Sequence, residues 1–237
     1  TYEGLKACTK AKVYSYGVKA GDFKAENLQL EMEKTQFDMD GTHISSDLLS
    51  IANVYNLSAV YAVLKVLGYE KEKICEVVSH LPHIDGRMEK VYNNEFLALV
   101  DYAHSPDSVA NALTFLSEIK KGKLIALVGC GGDRDKTKRP KMARVACEMA
   151  DLAILTSDNP RTEDPEAILK DMQEGLNFDN YCVIVNRKDA IQKAIALACP
   201  GDIIAVLGKG HEDYQIIGTK KYHFSDKEEI LEAIKGE

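Results

Sequence analysis

Beyond residue 86, short apolar segments alternate along the chain with segments of helical periodicity. The apolar segments, each followed by a helical pattern, are 96–100, 124–129, 152–156, 182–185 and 203–207. Continuous apolar strands separated by helices are typical of a mainly parallel sheet with helices on both faces. Capping sequences support the helix starts at Ser105-Pro106, Asp164-Pro165 and Ser225. Residues 87–237 are therefore predicted to form an α/β domain.

The first 86 residues show a less regular pattern. The predicted strands are 12–16, 28–32 and 35–39, and the predicted helices are 53–67 and 72–79. Two helices and a small antiparallel sheet would make a thin core. Residues 1–86 are therefore predicted to be a partial α+β domain that lacks its main sheet.

Composition narrows the possible partners. The net charge of -7 argues against non-specific nucleic-acid binding, which needs a basic surface. No apolar segment is long enough to span a membrane, and no signal peptide opens the chain. The six cysteines lie far apart without a C-x-x-C pair, which indicates buried, reduced thiols in a cytoplasmic protein. The chain begins at Thr1 rather than Met, as a fragment of a longer protein would.

A polar loop follows the apolar segment 152–156 and precedes a predicted helix. Within it, Asn159 offers both a donor and an acceptor, and Arg161 offers a planar set of donors that suits a carboxylate or phosphate. Pro160 restricts the backbone between them. The loop is interpreted as a binding site for a small anion. The alternative is an Asx turn that leads into a helix capped by Asp164.

Other loops follow the predicted parallel strands, and ligands bind at the carboxyl ends of such strands. Asp101 and His104 follow the first strand, where a helix-capping network is the alternative to ligand binding. Arg134 lies in a glycine-rich loop, 129–140, that matches neither G-x-G-x-x-G nor G-x-x-x-x-G-K-[ST]. Glu212 lies in another, 208–214. Together with Asn159 and Arg161, these groups predict a site for a zwitterionic amino acid.

At these loops the sequence resembles the Mur ligases, most closely the branch that adds meso-diaminopimelate. The matching segments are 53–57, 85–89, 101–107, 129–140, 158–161 and 208–214. The resemblance covers the whole chain. It implies that residues 1–86 are the C-terminal part of a central ATP-binding domain and that residues 87–237 are a Rossmann-like, amino-acid-binding domain.

The resemblance also implies an activity and a set of site residues. Mur ligases of this branch are ATP-dependent amide ligases of peptidoglycan biosynthesis that extend a UDP-N-acetylmuramoyl-dipeptide through an acyl phosphate. The residues implied to bind diaminopimelate are Arg134, Asp158, Asn159, Pro160, Arg161, Gly208 and Glu212. Those implied to face ATP are Asn53, Asn56, Arg87, Asp101 and His104. No catalytic or metal-binding residue is assigned within the chain.

The main ligands of ATP and Mg²⁺, and the UDP-binding domain, are expected to precede Thr1. The isolated chain is therefore expected to be inactive. Two alternatives remain. One is a folylpolyglutamate synthase-like ligase, although Glu212 suits an additional amine better than the additional carboxylate of glutamate. The other is a non-catalytic amino-acid-binding module with the same fold.

Overall fold

The computed structural model describes residues 2–236, with side chains from Lys6 onward. The chain divides into two compact units, one that ends at His83 and one that begins at Ile84. No helix among the described residues is both long and apolar enough to cross a membrane. All six cysteines are free; Cys75, Cys130 and Cys147 are buried as expected, whereas Cys8 and Cys199 are exposed.

The first unit is a small sheet covered by two helices. Its elements are α1 (Tyr2–Ala7), β1 (Tyr16–Gly17), β2 (Phe23–Leu30), β3 (Thr35–Met39), β4 (Thr42–Ser46), α2 (Ile51–Val66) and α3 (Lys71–Ser79). The strand order is β1-β2-β3-β4, with β1 parallel to β2 and the other pairs antiparallel. Phe37, Ile44, Leu57 and Tyr61 are fully or almost fully buried between the sheet and the helices.

The antiparallel arrangement agrees with the sequence prediction, but three strands differ from it. The strand predicted at 28–32 is β2, which begins five residues earlier, at Phe23, and ends at Leu30. The strand predicted at 12–16 overlaps the observed two-residue β1 only at Tyr16. The prediction also missed β4, which pairs with β3 through a tight turn at Asp40-Gly41. Both turn residues have positive φ, 48° and 74°, as a two-residue hairpin of this kind requires.

The second unit is a six-stranded sheet with helices on both faces. Its elements are β5 (Glu89–Asn93), β6 (Leu97–Asp101), α4 (Pro106–Ile119), β7 (Leu124–Cys130), α5 (Arg139–Met149), β8 (Leu152–Ser157), α6 (Pro165–Gln173), β9 (Tyr181–Val183), α7 (Arg187–Ala196), β10 (Ile203–Leu207), β11 (Tyr214–Ile217), β12 (Lys220–His223) and α8 (Asp226–Lys235). The strand order is β5-β6-β10-β7-β8-β9, and all pairs are parallel except β5 with β6.

The two helical layers follow from the burial of the central strands. Every residue of β7 and β10 is buried, so both faces of the sheet must be covered. The helices α7 and α8 pack over Ile125, Leu127, Ile204 and Val206, while α4, α5 and α6 pack against one another and against β7. The predicted α/β class is confirmed. The edge strand β5 and the β11–β12 hairpin that separates β10 from α8 depart from the predicted alternation.

The strand order decides which loops meet. Because β6, β10, β7 and β8 are consecutive neighbours and parallel, their carboxyl ends lie at one edge of the sheet. The loops that follow these strands carry the polar residues singled out from the sequence. The fold therefore gathers segments that are far apart along the chain.

Candidate functional site

A cleft of 420 Å³ opens at this edge of the second unit, and we call it the carboxyl-edge cleft. It is lined by Tyr102, His104, Gly131, Arg134, Lys138, Asp158, Asn159, Arg161, Gly208, Glu212 and Tyr214. The lining includes cations from Arg134, Lys138 and Arg161 and carboxylates from Asp158 and Glu212. Such a combination suits a ligand that carries both signs of charge.

Asn159, in the loop that follows β8, links three segments of the site. Its side-chain Nδ2 donates to Glu212 Oε2 at 2.9 Å, and its Oδ1 accepts from the backbone N–H of Ile216 at 2.9 Å. The residue is only 3% exposed. Much of the hydrogen-bonding capacity that the sequence suggested for a ligand is therefore used within the protein, where it fixes the orientation of Glu212.

Arg161 is held in place by the β11–β12 hairpin. Its backbone N–H donates to Ile216 O at 3.0 Å, and its carbonyl accepts from Gly218 N at 2.7 Å. Its φ of 51° lies in the left-handed region, which turns the side chain back over the glycine-rich loop after β7. There its Nη1 donates to Gly132 O at 2.8 Å. No carboxylate among the side chains described from Lys6 onward forms an ion pair with this guanidinium, so its charge is available to a ligand.

The loop after β7 lies close to the loop after β8. The N–H of Gly132 donates to Asn159 O at 2.9 Å, and a Cβ at Gly132 would lie 1.9 Å from Pro160 O. Only glycine permits this approach. Pro160 is buried behind the cleft lining, and it is the one predicted diaminopimelate residue that does not line the cleft. Arg134 is exposed at the mouth and donates to Asp133 O at 3.1 Å.

A charged cluster beneath this loop stabilises its conformation. Arg139 is fully buried and donates to both oxygens of Glu163, at 2.8 and 3.0 Å, and to Asp171 at 2.7 Å. Glu163 also accepts from the N–H of Asp133 at 2.6 Å and pairs with Lys136 at 3.0 Å. The Arg139 guanidinium, followed by these donors, lowers the pKa of Glu163 to about 2. The cluster supports the cleft without lining it.

Lys209, in the loop after β10, is a buried cation that the sequence interpretation did not assign. It lies between Gly208 and Gly210, whose φ values are 118° and 53°. Its side chain is fully buried, and its Nζ lies 3.2 Å from Glu212 Oε2 and 3.5 Å from Asp158 Oδ1. The nearby Glu212 carboxylate also raises the pKa of Tyr214, which lines the same cleft.

A second buried ion pair ties the strand ends together below the cleft. Arg187 donates to both carboxylate oxygens of Asp226 at 2.7 Å, and further to Ser157 O at 3.3 Å and Leu207 O at 3.1 Å. Burial lowers the pKa of Arg187, but the carboxylates of Asp226, Asp158 and Glu212 together outweigh burial and raise it. The pair holds together the ends of β8 and β10, from which the Asn159 and Lys209 loops leave.

The residues predicted to face ATP are divided between the two units. In the second unit, the Arg87 guanidinium lies 4.5 Å above the Tyr102 ring, and His104 packs against the same ring at 4.7 Å. The Asp101 oxygens accept from the backbone N–H groups of Met88 and Ala103, each at 2.8 Å. Burial raises the pKa of Asp101, partly offset by these donors. Both carboxylate oxygens of Asp101 are thus used within the protein, where they organise the loop around Arg87 and Tyr102.

Asn53 and Asn56 lie on α2 of the first unit. Asn53 is 5% exposed, and its Nδ2 donates to Leu49 O at 2.7 Å. Asn56 is exposed and donates to Asn53 Oδ1 at 3.2 Å. The structure thus places these two residues together, and Asn56 is the member of the pair that is open to solvent.

Comparison with known proteins gives a consistent family match. A family profile described as "Mur ligase, glutamate ligase domain" matches residues 86–210. A UDP-N-acetylmuramoyl-L-alanyl-D-glutamate–2,6-diaminopimelate ligase from Clostridium botulinum is 44% identical over 229 residues, which cover 93% of this chain and 47% of that protein. The chain therefore spans about half the length of the curated relatives it matches.

Solved structures agree with the sequence comparison. The structure of a UDP-N-acetylmuramoyl-L-alanyl-D-glutamate–2,6-diaminopimelate ligase superimposes with a TM-score of 0.69 at 36% identity, covering 96% of this chain and 48% of that one. A Mur ligase from Thermotoga maritima, solved in complex with ADP, gives a TM-score of 0.64 at 14% identity, covering 93% of this chain and 48% of that one. The second likeness shows a shared fold alone.

Proposed function

The chain belongs to the Mur ligase family, and from that premise we propose that it selects the incoming amino acid in a diaminopimelate-adding ligase. The whole protein would use ATP to join meso-diaminopimelate to UDP-N-acetylmuramoyl-L-alanyl-D-glutamate, a cytoplasmic step of peptidoglycan biosynthesis. Residues 87–237 would bind the amino acid. Residues 1–86 would belong to the central ATP-binding domain, which the rest of the protein would complete.

The observation that carries the proposal is the arrangement of charges in the carboxyl-edge cleft. Among the described residues, Arg161 has main-chain carbonyls but no carboxylate as partners for its Nη1. A partly buried guanidinium of this kind is best satisfied by a carboxylate. Diaminopimelate carries a second carboxylate at its distal end, which lysine lacks. Lysine would therefore leave the Arg161 charge without a carboxylate partner, and the missing ion pair is the proposed basis of selection.

The opposite charge is provided by Glu212, with Asp158 beside it. Their carboxylates can accept from an ammonium group of the amino acid. Gly208, whose φ is 118°, adds no side chain beside the Asp158 carboxylate. Holding the amine and the distal carboxylate at separate points would orient the ligand for attack on an activated carboxyl group. The same feature disfavours a folylpolyglutamate synthase-like activity, since glutamate lacks the second amine.

The second unit would contribute part of a nucleotide site. ATP would supply the phosphoryl group that activates the muramoyl-dipeptide carboxylate. The exposed Arg87 guanidinium over Tyr102, beside His104, is the group in the second unit that fits a nucleotide phosphate or base. The sequence contains no G-x-x-x-x-G-K-[ST] phosphate loop, and no acidic metal ligand is assigned to it. We therefore expect the 237-residue chain to lack ligase activity by itself.

Calorimetry of the chain with meso-diaminopimelate, lysine and glutamate tests the proposal. We expect diaminopimelate to bind more tightly than the other two. Arg161→Ala should weaken diaminopimelate binding by roughly tenfold or more while leaving lysine binding little changed, because a charged hydrogen bond is worth about 1.5–3 kcal/mol. Arg144→Ala is the matched control, since Arg144 is exposed and donates only to Gly175 O among the described partners.

Equal binding of diaminopimelate and lysine by the wild-type chain would refute the selection mechanism, and tighter binding of glutamate would favour the folylpolyglutamate synthase-like alternative. Binding without any ligation after extension of the protein upstream of Thr1 would favour a non-catalytic module. Ligation that depends on diaminopimelate in the extended protein would support the proposed ligase function.

A further inference from the structure

Lys209 is a fully buried lysine whose ammonium group is surrounded by polar side chains of the carboxyl-edge cleft. It is 0% exposed, and a lysine ammonium in this position requires charged or polar partners because burial of an isolated charge is strongly unfavourable. Its Nζ has three of them: Glu212 Oε2 at 3.2 Å, Asn159 Oδ1 at 3.3 Å and Asp158 Oδ1 at 3.5 Å. All three partners line the carboxyl-edge cleft.

The backbone around Lys209 is fixed independently of its side chain. The N–H of Gly208 donates to Asp101 O at 2.9 Å, and the N–H of Glu212 donates to Lys209 O at 3.0 Å. A Cβ at Gly210 would lie 2.7 Å from Gly86 O and 2.8 Å from the Tyr102 side chain, so this loop is closely packed on both sides. The ammonium group is thus held at a defined point behind the cleft lining.

The charges around this point do not balance. Asp158 and Glu212 contribute two negative charges whose oxygens both approach one ammonium group. Without that ammonium the carboxylates would repel each other across a short distance. With it, the group of three retains one net negative charge. Arg187 lies below but is neutralised by Asp226, at 2.7 Å.

Resting on the proposed function, we propose that Lys209 is a positioning residue of the amino-acid site. Its ammonium orients the Asp158 and Glu212 carboxylates and cancels one of their charges, so that a single negative charge receives one ammonium group of the substrate. Through Asn159 Oδ1 it also fixes the amide whose Nδ2 holds Glu212. The ammonium of Lys209 acts through these side chains and not by contact with the substrate.

A comparison of two ligands separates this role from simple structural support. Meso-diaminopimelate and 2-aminopimelate have the same carbon chain and both carboxylates, but the second ligand lacks one ammonium group. The ratio of their affinities for the 237-residue chain therefore reports recognition of that ammonium. We expect Lys209→Met to lower the ratio by about tenfold, the effect of losing an oriented contact with a charged group.

A charge-balanced variant provides the second measurement. Lys209→Met combined with Asp158→Asn restores one net negative charge and removes the repulsion, so it should regain part of the preference and fold even where the single variant does not. If Lys209 only filled space, the additional Asp158→Asn substitution would not restore the preference for diaminopimelate. Lys188→Met is the matched control: Lys188 pairs with Glu229 and Glu232 on α8, outside the cleft lining, and its loss should leave the ratio unchanged.

The outcomes are distinct. A wild-type chain that binds diaminopimelate no more tightly than lysine overturns the proposed function, and the role of Lys209 with it. A wild-type preference for diaminopimelate over 2-aminopimelate that Lys209→Met retains or increases overturns the role of Lys209 alone, whatever happens to the melting temperature. The role of Lys209 is also overturned if the charge-balanced variant is folded but recovers none of the preference. A ratio of affinities that falls in Lys209→Met and partly recovers in the charge-balanced variant supports the role.

Discussion

Replacement of Arg187 by Met is expected to destabilise the second unit and to loosen the cleft above it. The substitution keeps much of the side-chain volume but removes four hydrogen bonds, two of them to Asp226 at 2.7 Å and two to the carbonyls of Ser157 and Leu207. Asp226 is fully buried and would lose its counter-ion. Removal of one member of a buried pair destabilises a protein by about 3–5 kcal/mol, mainly because the other charge remains buried.

The reasoning predicts a particular pattern for a double-mutant cycle. Arg187→Met and Asp226→Leu should each be strongly destabilising, whereas the double variant should lose only about 0–2 kcal/mol, because no unpaired charge remains. Urea unfolding can be followed by far-UV circular dichroism, since the chain contains no tryptophan. Hydrogen exchange in peptides that cover β8 and β10 reports the second unit specifically. A loss below about 1 kcal/mol for Arg187→Met, or a double variant as unstable as the single ones, would refute the mechanism.

Two further substitutions test the loop between β7 and α5. Because Arg139 and its neighbours lower the pKa of Glu163 from an ordinary value of 4.5 to about 2, the stabilisation by Glu163 should be complete above pH 4.5 and decline as the pH falls towards 2. The difference in urea midpoint between wild type and Glu163→Gln should narrow in that window, and a constant difference would contradict the assignment. Gly132→Ala should destabilise the protein by about 1–3 kcal/mol, since its Cβ would lie 1.9 Å from Pro160 O. Gly236→Ala, where the nearest atom is 3.7 Å away, is the control, and equal effects at both glycines would refute the steric explanation.

Central strands were predictable because of their burial. β10 has the predicted bounds, 203–207, and β7 extends the prediction by one residue, because a strand covered on both faces must be apolar throughout. The edge strand β5 escaped notice. Its residues, Glu89–Asn93, mix charged and apolar side chains, and its antiparallel pairing with β6 satisfies the backbone without a continuous apolar segment.

Site residues divide in a similar way. Arg134, Asp158, Asn159, Arg161, Gly208 and Glu212 were predicted from loop position and motif, and the structure brings them to one cleft, while their roles remain proposals. Lys209 lies in the loop 208–214 that the sequence analysis assigned to the candidate site, but a lysine between two glycines is expected to be exposed. Its burial became apparent only from the packing of that loop against Tyr102 and Gly86.

The sequence by itself determined the parallel α/β class, the loops that carry chemistry and the family to which they belong, because apolar periodicity and short motifs are local properties of the chain. Tertiary structure alone decided which charges are neighbours. Arg187 and Asp226 are 39 positions apart, and Asn159 and Glu212 are 53 apart, yet each pair is within hydrogen-bond distance. Ion pairing depends on distance in space and on burial, and neither quantity is encoded in the spacing of residues along the chain.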